Sequence, residues 1–207
     1  PVSINVTDNV SANHFGLQGT PSTSYQFGLS NDPGVPLSEN VTKRSSSQQS
    51  RRITLRSGFK ITRNLTTSFD YTYSSNESRS TQTTGSSSYS ALVLNGEALP
   101  FPSWTVRWRG LESLPLVKSV ARSRSLSHSF AGQRTENWKD TKDTPTQETK
   151  TRDFRPLLGV NITFKNGITA TAQYQTSESL QEKMLVSSGT TRQTSSSINV
   201  SAKYNIR

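Results

Sequence analysis

Cysteine is absent from this chain and histidine occurs only at His14 and His128. Disulfides and thiolate metal sites are excluded, and a histidine-based metal site has little to draw on. Apolar residues are scarce too, at 29% of 207 residues, where an ordinary globular domain carries about 45 to 50%. A conventional packed core of this size is therefore not expected. No stretch approaches the roughly 18 to 20 consecutive apolar residues of a membrane helix, which excludes a helical membrane protein. No secretory leader is expected within these residues either. The chain begins Pro-Val-Ser with neither a basic n-region nor an apolar h-region, and reads as an excised segment or a processed chain.

Hydroxyl groups and positive charge fill the sequence instead. Ser occurs 35 times and Thr 26 times, and 24 Lys and Arg against 14 Asp and Glu give a net charge of +10. A basic chain raises a nucleic-acid hypothesis. Here the cations are dispersed, from Lys43-Arg44 and Arg51-Arg52 through Arg56, Lys60 and Arg63 to Arg122 and Arg124. They form no helix-turn-helix, zinc-finger or RNA-binding-sheet pattern, so no nucleic-acid partner is expected. Two classes tolerate so polar a chain: disordered segments, and transmembrane β-barrels whose inner face is wet.

Periodicity separates the two. In WTVRWR, Trp104, Val106 and Trp108 alternate with Thr105, Arg107 and Arg109, the period of a strand with one apolar and one polar face. The same alternation runs through VSINVT near the start, TSYQFGLSN with Tyr25, Phe27 and Leu29 on one face, RRITLRSGFKI, and LTTSFDYTYSS with Phe69, Tyr71 and Tyr73. In PLLGVNITF, Leu158, Val160, Ile162 and Phe164 oppose Gly159, Asn161 and Thr163; in GITATAQYQTS, Ile168, Ala170, Ala172 and Tyr174 oppose Thr169, Thr171, Gln173 and Gln175. Lys165-Asn166-Gly167 joins these two, and Asn-Gly between alternating strands signals a hairpin because both residues accept positive φ. A last strand, SINVSAKYNIR, sets Ile198, Val200, Ala202, Tyr204 and Ile206 against Asn199, Ser201, Lys203, Asn205 and Arg207; its partner is expected to run from Ile168 to about Val186 and to turn at Ser187-Ser188-Gly189.

The expected fold is all-β: about 8 to 10 antiparallel transmembrane β-barrel strands of about ten residues each, a single unit over 1–207 that forms a segment of a larger barrel. A soluble sandwich also shows one apolar face per strand, but its strands are shorter, at about five or six residues. Aromatic residues near strand ends, including Tyr71, Tyr73, Trp104, Phe164 and Tyr204, resemble an interfacial girdle. Lipid-facing or girdle positions are then Trp104, Val106, Trp108, Ile162, Phe164, Val200 and Tyr204. Lumen-facing positions are Arg107, Arg109, Asn161, Gln173 and Lys203. Polar, turn-rich segments near 31–50, 76–88 and 134–153 are expected to be solvated loops on the outer side.

Residues 110–123 have a helix-like spacing of Leu111, Leu114, Val117 and Val120 that Pro115 interrupts, which predicts a short helical turn between strands. In RSLSHSFAG, Leu126, His128 and Phe130 share a face, so His128 reads as a packed residue rather than a general base. No catalytic, cofactor or metal site is assigned, and the chain is not expected to be an enzyme. Seven Asn-x-Ser/Thr sequons follow from polar alternation among so many hydroxyl residues and carry no glycosylation signal.

Three segments taken in order carry a resemblance: LPFPSWTVRWRGLESLPLVKSVARSRSLSHSF, RPLLGVNITFKNGITATAQYQTSESL and SSINVSAKYNIR. Over about 99–207, apart from 134–153, the chain resembles the C-terminal part of the SprA family, the outer-membrane translocon of the type IX secretion system of Bacteroidota and relatives. Over 1–98 the likeness is one of texture. The resemblance implies a piece of a very large barrel that conducts folded proteins to the cell surface. The implied partners are outer-membrane lipid, secreted protein cargo, accessory secretion subunits and the remaining strands of the parent chain. A small self-contained outer-membrane barrel and an extracellular Ser/Thr-rich β adhesin stay open as alternatives.

Overall fold

The computed structural model describes residues 1–30, 32–36, 38, 45–111, 121–184 and 188–204. Among them are ten strands and one helical turn. The strands are β1 (Val2–Asn13), β2 (Ser46–Lys60), β3 (Leu65–Arg79), β4 (Thr83–Leu94), β5 (Glu97–Pro100), β6 (Ser103–Arg109), β7 (Ala121–Lys139), β8 (Pro145–Phe164), β9 (Ile168–Lys183) and β10 (Gly189–Tyr204). The helical turn is α1 (Thr23–Gln26). The fold is all-β and antiparallel throughout, as the alternation of side chains requires.

The sheet order is β1-β2-β3-β4-β7-β8-β9-β10. The lane between β3 and β7 is shared by two strands. β4 pairs with the later part of β3 and β6 with its beginning, and β7 pairs with both. Between them, β4 leaves the sheet at Ala91 and returns as β5, forming a small separate hairpin. We call the end of the sheet holding the turns Ile61–Asn64 and Lys165–Gly167 the near end, and the end with the turns after Arg79 and Lys139 the far end.

Several strands are longer than the hydrophobic pattern marks, reaching 19 residues in β7 and 20 in β8. The segments 76–88 and 134–153, expected as loops, are mostly strand: three residues separate β3 from β4 and five separate β7 from β8. Residues 46–50 likewise belong to β2. Ser and Thr need no apolar neighbour to pair in a ladder, and charges within these stretches find partners across strands, so low hydrophobicity did not mark turns here.

TSYQFGLSN is not a strand. Thr23–Gln26 make one helical turn, with the Ser22 side chain accepting from the Tyr25 N–H. Gly28 at φ 70 ends it, leaving Phe27 and Leu29 exposed on the surface. At Lys165-Asn166-Gly167 only Gly167 takes a positive φ, 89°. The helical turn expected within 110–123, and Val186 and Ser187 of the last hairpin, lie largely outside the described residues.

Candidate functional site

Registered pairing decides which side chains share a face, because directly opposite residues point the same way. Trp104, Val106, Trp108, Ile162, Val200 and Tyr204 all fall on one face, and Phe164 joins them by alternation with Ile162. Arg107, Arg109, Asn161, Gln173 and Lys203 all fall on the other. The first face also holds Val2, Ile4 and Val6 of β1 and Leu55 of β2, and many of these apolar side chains are bare: Ile4 is 69% exposed and Val200 74%.

A row of aromatics crosses four strands in register: Phe69 opposite Trp104, Trp104 opposite Phe130, and Phe130 opposite Phe154. The Trp104 and Phe130 rings stack at 4.1 Å, and Phe130 and Phe154 lie 5.1 Å apart. Phe130 is 1% exposed, the largest fully buried side chain among the described residues. His128 packs against Trp104 and Phe154, and its Nδ1 lies 2.7 Å from the Leu157 carbonyl. That environment is one of packing, in line with the expectation for His128.

The apolar band crosses the ladder obliquely. On β1 it centres on Ile4, which lies opposite Leu55 and, through it, Tyr71, two residues to the far side of Phe69. On β10 it centres between Val200 and Ala202, four to six residues to the near side of Ser196. Ser196 is level with Phe69 by way of Thr176, Phe154, Phe130 and Trp104. Across eight strands, about 34 Å of sheet, the band thus drifts by about 23 Å along the strands, an inclination of about 30 to 35°.

Beyond the band, toward the far end, the same face turns ionic. Arg134 pairs with Glu136 at 2.6 Å and Glu148 at 2.5 Å, and donates to the Tyr89 hydroxyl at 2.9 Å. Lys150 lies 3.3 Å from Glu148 and 3.7 Å from Glu182. Arg152 and Arg192 both bind Glu178. Burial alone would disfavour the Arg134 charge, but the hydrogen bond to Tyr89 and the charges of Glu148 and Glu136 outweigh it and raise its pKa. On β1, four residues from the centre of the band, the Asp8 carboxylate accepts a hydrogen bond from Arg51 at 2.8 Å. Four cations, Arg134, Lys150, Arg152 and Arg192, thus meet four carboxylates, Glu136, Glu148, Glu178 and Glu182.

Charge is balanced on this tier and unbalanced on the polar face. There Arg52, Arg56, Lys60, Arg107, Arg109 and Lys203 stand among hydroxyl and amide side chains, with Asp70 and Asp153 as the opposing acids. Arg56 binds Asp70.

The β4–β5 hairpin lies across the ionic tier. A Cβ on Gly132 would collide with the Ala91 carbonyl, so the missing side chain is what lets the hairpin cross β7. Its tip is Asn95-Gly96, with φ of 52° and 86°, the two-residue turn in which both positions are left-handed. The Tyr89 hydroxyl lies 3.5 Å from the Ala98 carbonyl and ties the hairpin to the tier. Under the tip, Val93, Asn95, Gly96, Lys150, Arg152, Glu178, Leu180 and Arg192 line an open cavity of about 350 Å³. Sequence reasoning missed this feature, although Asn95-Gly96 between ALVL and EALP carried the signal for it.

The fold and its two dissimilar faces define the class: an antiparallel barrel-type sheet with one polar face and one banded face. Comparison with known proteins found no matching family model, curated protein or solved structure.

Proposed function

We propose that this chain is a wall segment of a large outer-membrane barrel, a protein-conducting translocon of the SprA type. The observation that carries the reading is the oblique apolar band. A strand in a barrel wall tilts by about 35 to 45° from the barrel axis, so a band that lies flat in a bilayer must climb across the hydrogen-bond ladder. The inclination of about 30 to 35° drawn from the register is close to that range. Along β8 the band runs from Phe154, level with Thr176, to Phe164, one step past the Thr163–Thr169 pair; with the two extra residues of the β8 bulge discounted this is about 26 Å of ladder, or about 20 to 22 Å of thickness once tilted, against an apolar belt of about 25 Å in outer-membrane barrels. The ionic tier then stands outside the bilayer, and the basic polar face lines a watery lumen.

Two open edges support a piece of a larger wall over a small self-contained barrel. Among the described residues β1 and β10 end the sheet order and no pairing joins them, and an unpaired edge cannot stay bare in lipid. The chain carries lipid and cargo on opposite faces and has no assigned catalytic group; its activity is passage.

Cysteine is absent from these 207 residues, so once any cysteines elsewhere in the parent chain are replaced, introduced thiols report faces directly. In outer membranes carrying the full-length protein, Asn199→Cys is expected to react with a water-soluble maleimide and Val200→Cys to resist it. Coupling a bulky maleimide at Asn199→Cys is expected to obstruct protein export. Equal labelling of the two positions would overturn the membrane reading; labelling at Asn199→Cys with unimpeded export would overturn the conduit reading.

A further inference from the structure

We infer that the cavity beneath the β4–β5 hairpin is a binding site for the phosphate group of a membrane amphiphile, an inference that rests on the membrane reading above. Three cations, Lys150, Arg152 and Arg192, line it against one carboxylate, Glu178. Arg152 and Arg192 each commit Nη2 to that carboxylate. A guanidinium has five N–H donors, so both retain donors suited to a tetrahedral anion. Lys150 is 11% exposed and its carboxylate neighbours are at 3.3 and 3.7 Å, longer than a charge-assisted hydrogen bond of about 2.7 to 2.9 Å. An anion entering the cavity meets a desolvated ammonium whose existing contacts are loose.

The rest of the lining is what an amphiphile needs. Val93 and Leu180 give the cavity an apolar flank, and Asn95 adds an amide at the hairpin tip. Position specifies the ligand further. The cavity opens on the banded face, with Arg152 two residues beyond Phe154 and Glu178 four residues beyond Tyr174. A phosphate held there leaves its hydrocarbon to run down along Leu158, Val160 and Ala172, which are level with the bilayer interior in the proposed orientation. Free phosphate would gain nothing from that adjacency.

The test uses the full-length protein in detergent, binding measured calorimetrically with dodecyl phosphate and with inorganic phosphate. Dodecyl phosphate is expected to bind at least tenfold more tightly than inorganic phosphate, since each buried methylene adds to affinity. Arg152→Gln with Arg192→Gln is expected to weaken dodecyl phosphate at least tenfold, the scale of a lost charge-assisted bond. Glu178→Gln separates ligation from mere structure. It removes the competing carboxylate and is expected to tighten binding severalfold, whereas a purely structural ion-pair cluster would show loss in both variants.

Equal binding of the two phosphates overturns the lipid assignment, and unchanged or weakened binding in Glu178→Gln overturns the site. Failure of the membrane reading registers separately, as equal maleimide labelling at the 199 and 200 positions.

Discussion

At the residue scale, Glu148 shows how a charge is kept inside so polar a chain. It is 4% exposed, and Arg134 and Lys150 approach it from two neighbouring positions on the ladder. Removing one partner of a buried ion pair leaves an uncompensated charge, so Glu148→Gln is expected to destabilise by about 3 kcal/mol. Glu77→Gln, which breaks a more exposed pair with Arg79, is expected to cost less than about 1 kcal/mol. Urea unfolding in detergent, followed by tryptophan fluorescence, distinguishes them; equal midpoints would contradict the role given to the tier. Val200 and Asn199 make the second residue-scale comparison, being neighbours on opposite faces. Val200→Arg is expected to impair membrane assembly by about 2 to 4 kcal/mol, the cost of arginine at the bilayer midplane, and Asn199→Arg to be tolerated. Equal assembly into outer-membrane vesicles would reject the orientation.

At the element scale, the β4–β5 hairpin depends on one absent side chain. Gly132→Val places branched carbons where the Ala91 carbonyl lies and is expected to lift the hairpin from β7. Limited proteolysis should then cut between Leu94 and Glu97, where the native protein is expected to resist; equal cleavage of the two would mean that the crossing is looser than described. Legibility differed among elements for physical reasons. WTVRWR, PLLGVNITF and GITATAQYQTS were readable as strands because one face alternates with large apolar groups. The far halves of β7 and β8 were not, because Arg134, Glu136, Glu148 and Lys150 read as loop charges until the ladder sets Arg134 diagonally against Glu148, with Glu136 and Lys150 two residues along their own strands. Tyr25, Phe27 and Leu29 had the strand period by coincidence, and the local Ser22 cap and Gly28 decided their shape. Period two separates Trp104, Val106 and Trp108 from Arg107 and Arg109, and the register keeps those two sets on opposite faces; the alternation itself carries no sign of which face meets lipid. The cavity was not legible, since Val93 and Arg192 are brought together only by the hairpin's fold across the sheet.

At the scale of the whole molecule, the two edges carry the strongest expectation. With Asn5→Cys on β1 and Asn199→Cys on β10 as the sole thiols, a sheet with open edges forms no disulfide within the chain, whereas a closed barrel joining β1 to β10 brings the strands within about 5 Å and permits one. Non-reducing electrophoresis of the oxidised double variant reads the difference, and a quantitative intramolecular crosslink would replace the open wall with a closed barrel. The shared lane between β3 and β7 has a consequence for how such a wall is put together. Most strands here dock on the one delivered just before, so the sheet can grow in chain order. β3 cannot be completed that way: β4 covers only part of it, and the remainder waits for β6, after the chain has left the sheet and come back. β7 fits only when both are in place, since it hydrogen-bonds to each. Full-length docking of β7 therefore requires both β4 and β6 to be in place, which makes the detour between them a condition for extending the sheet further. Lengthening or shortening the detour should alter the pace at which the wall is finished while leaving its final register intact.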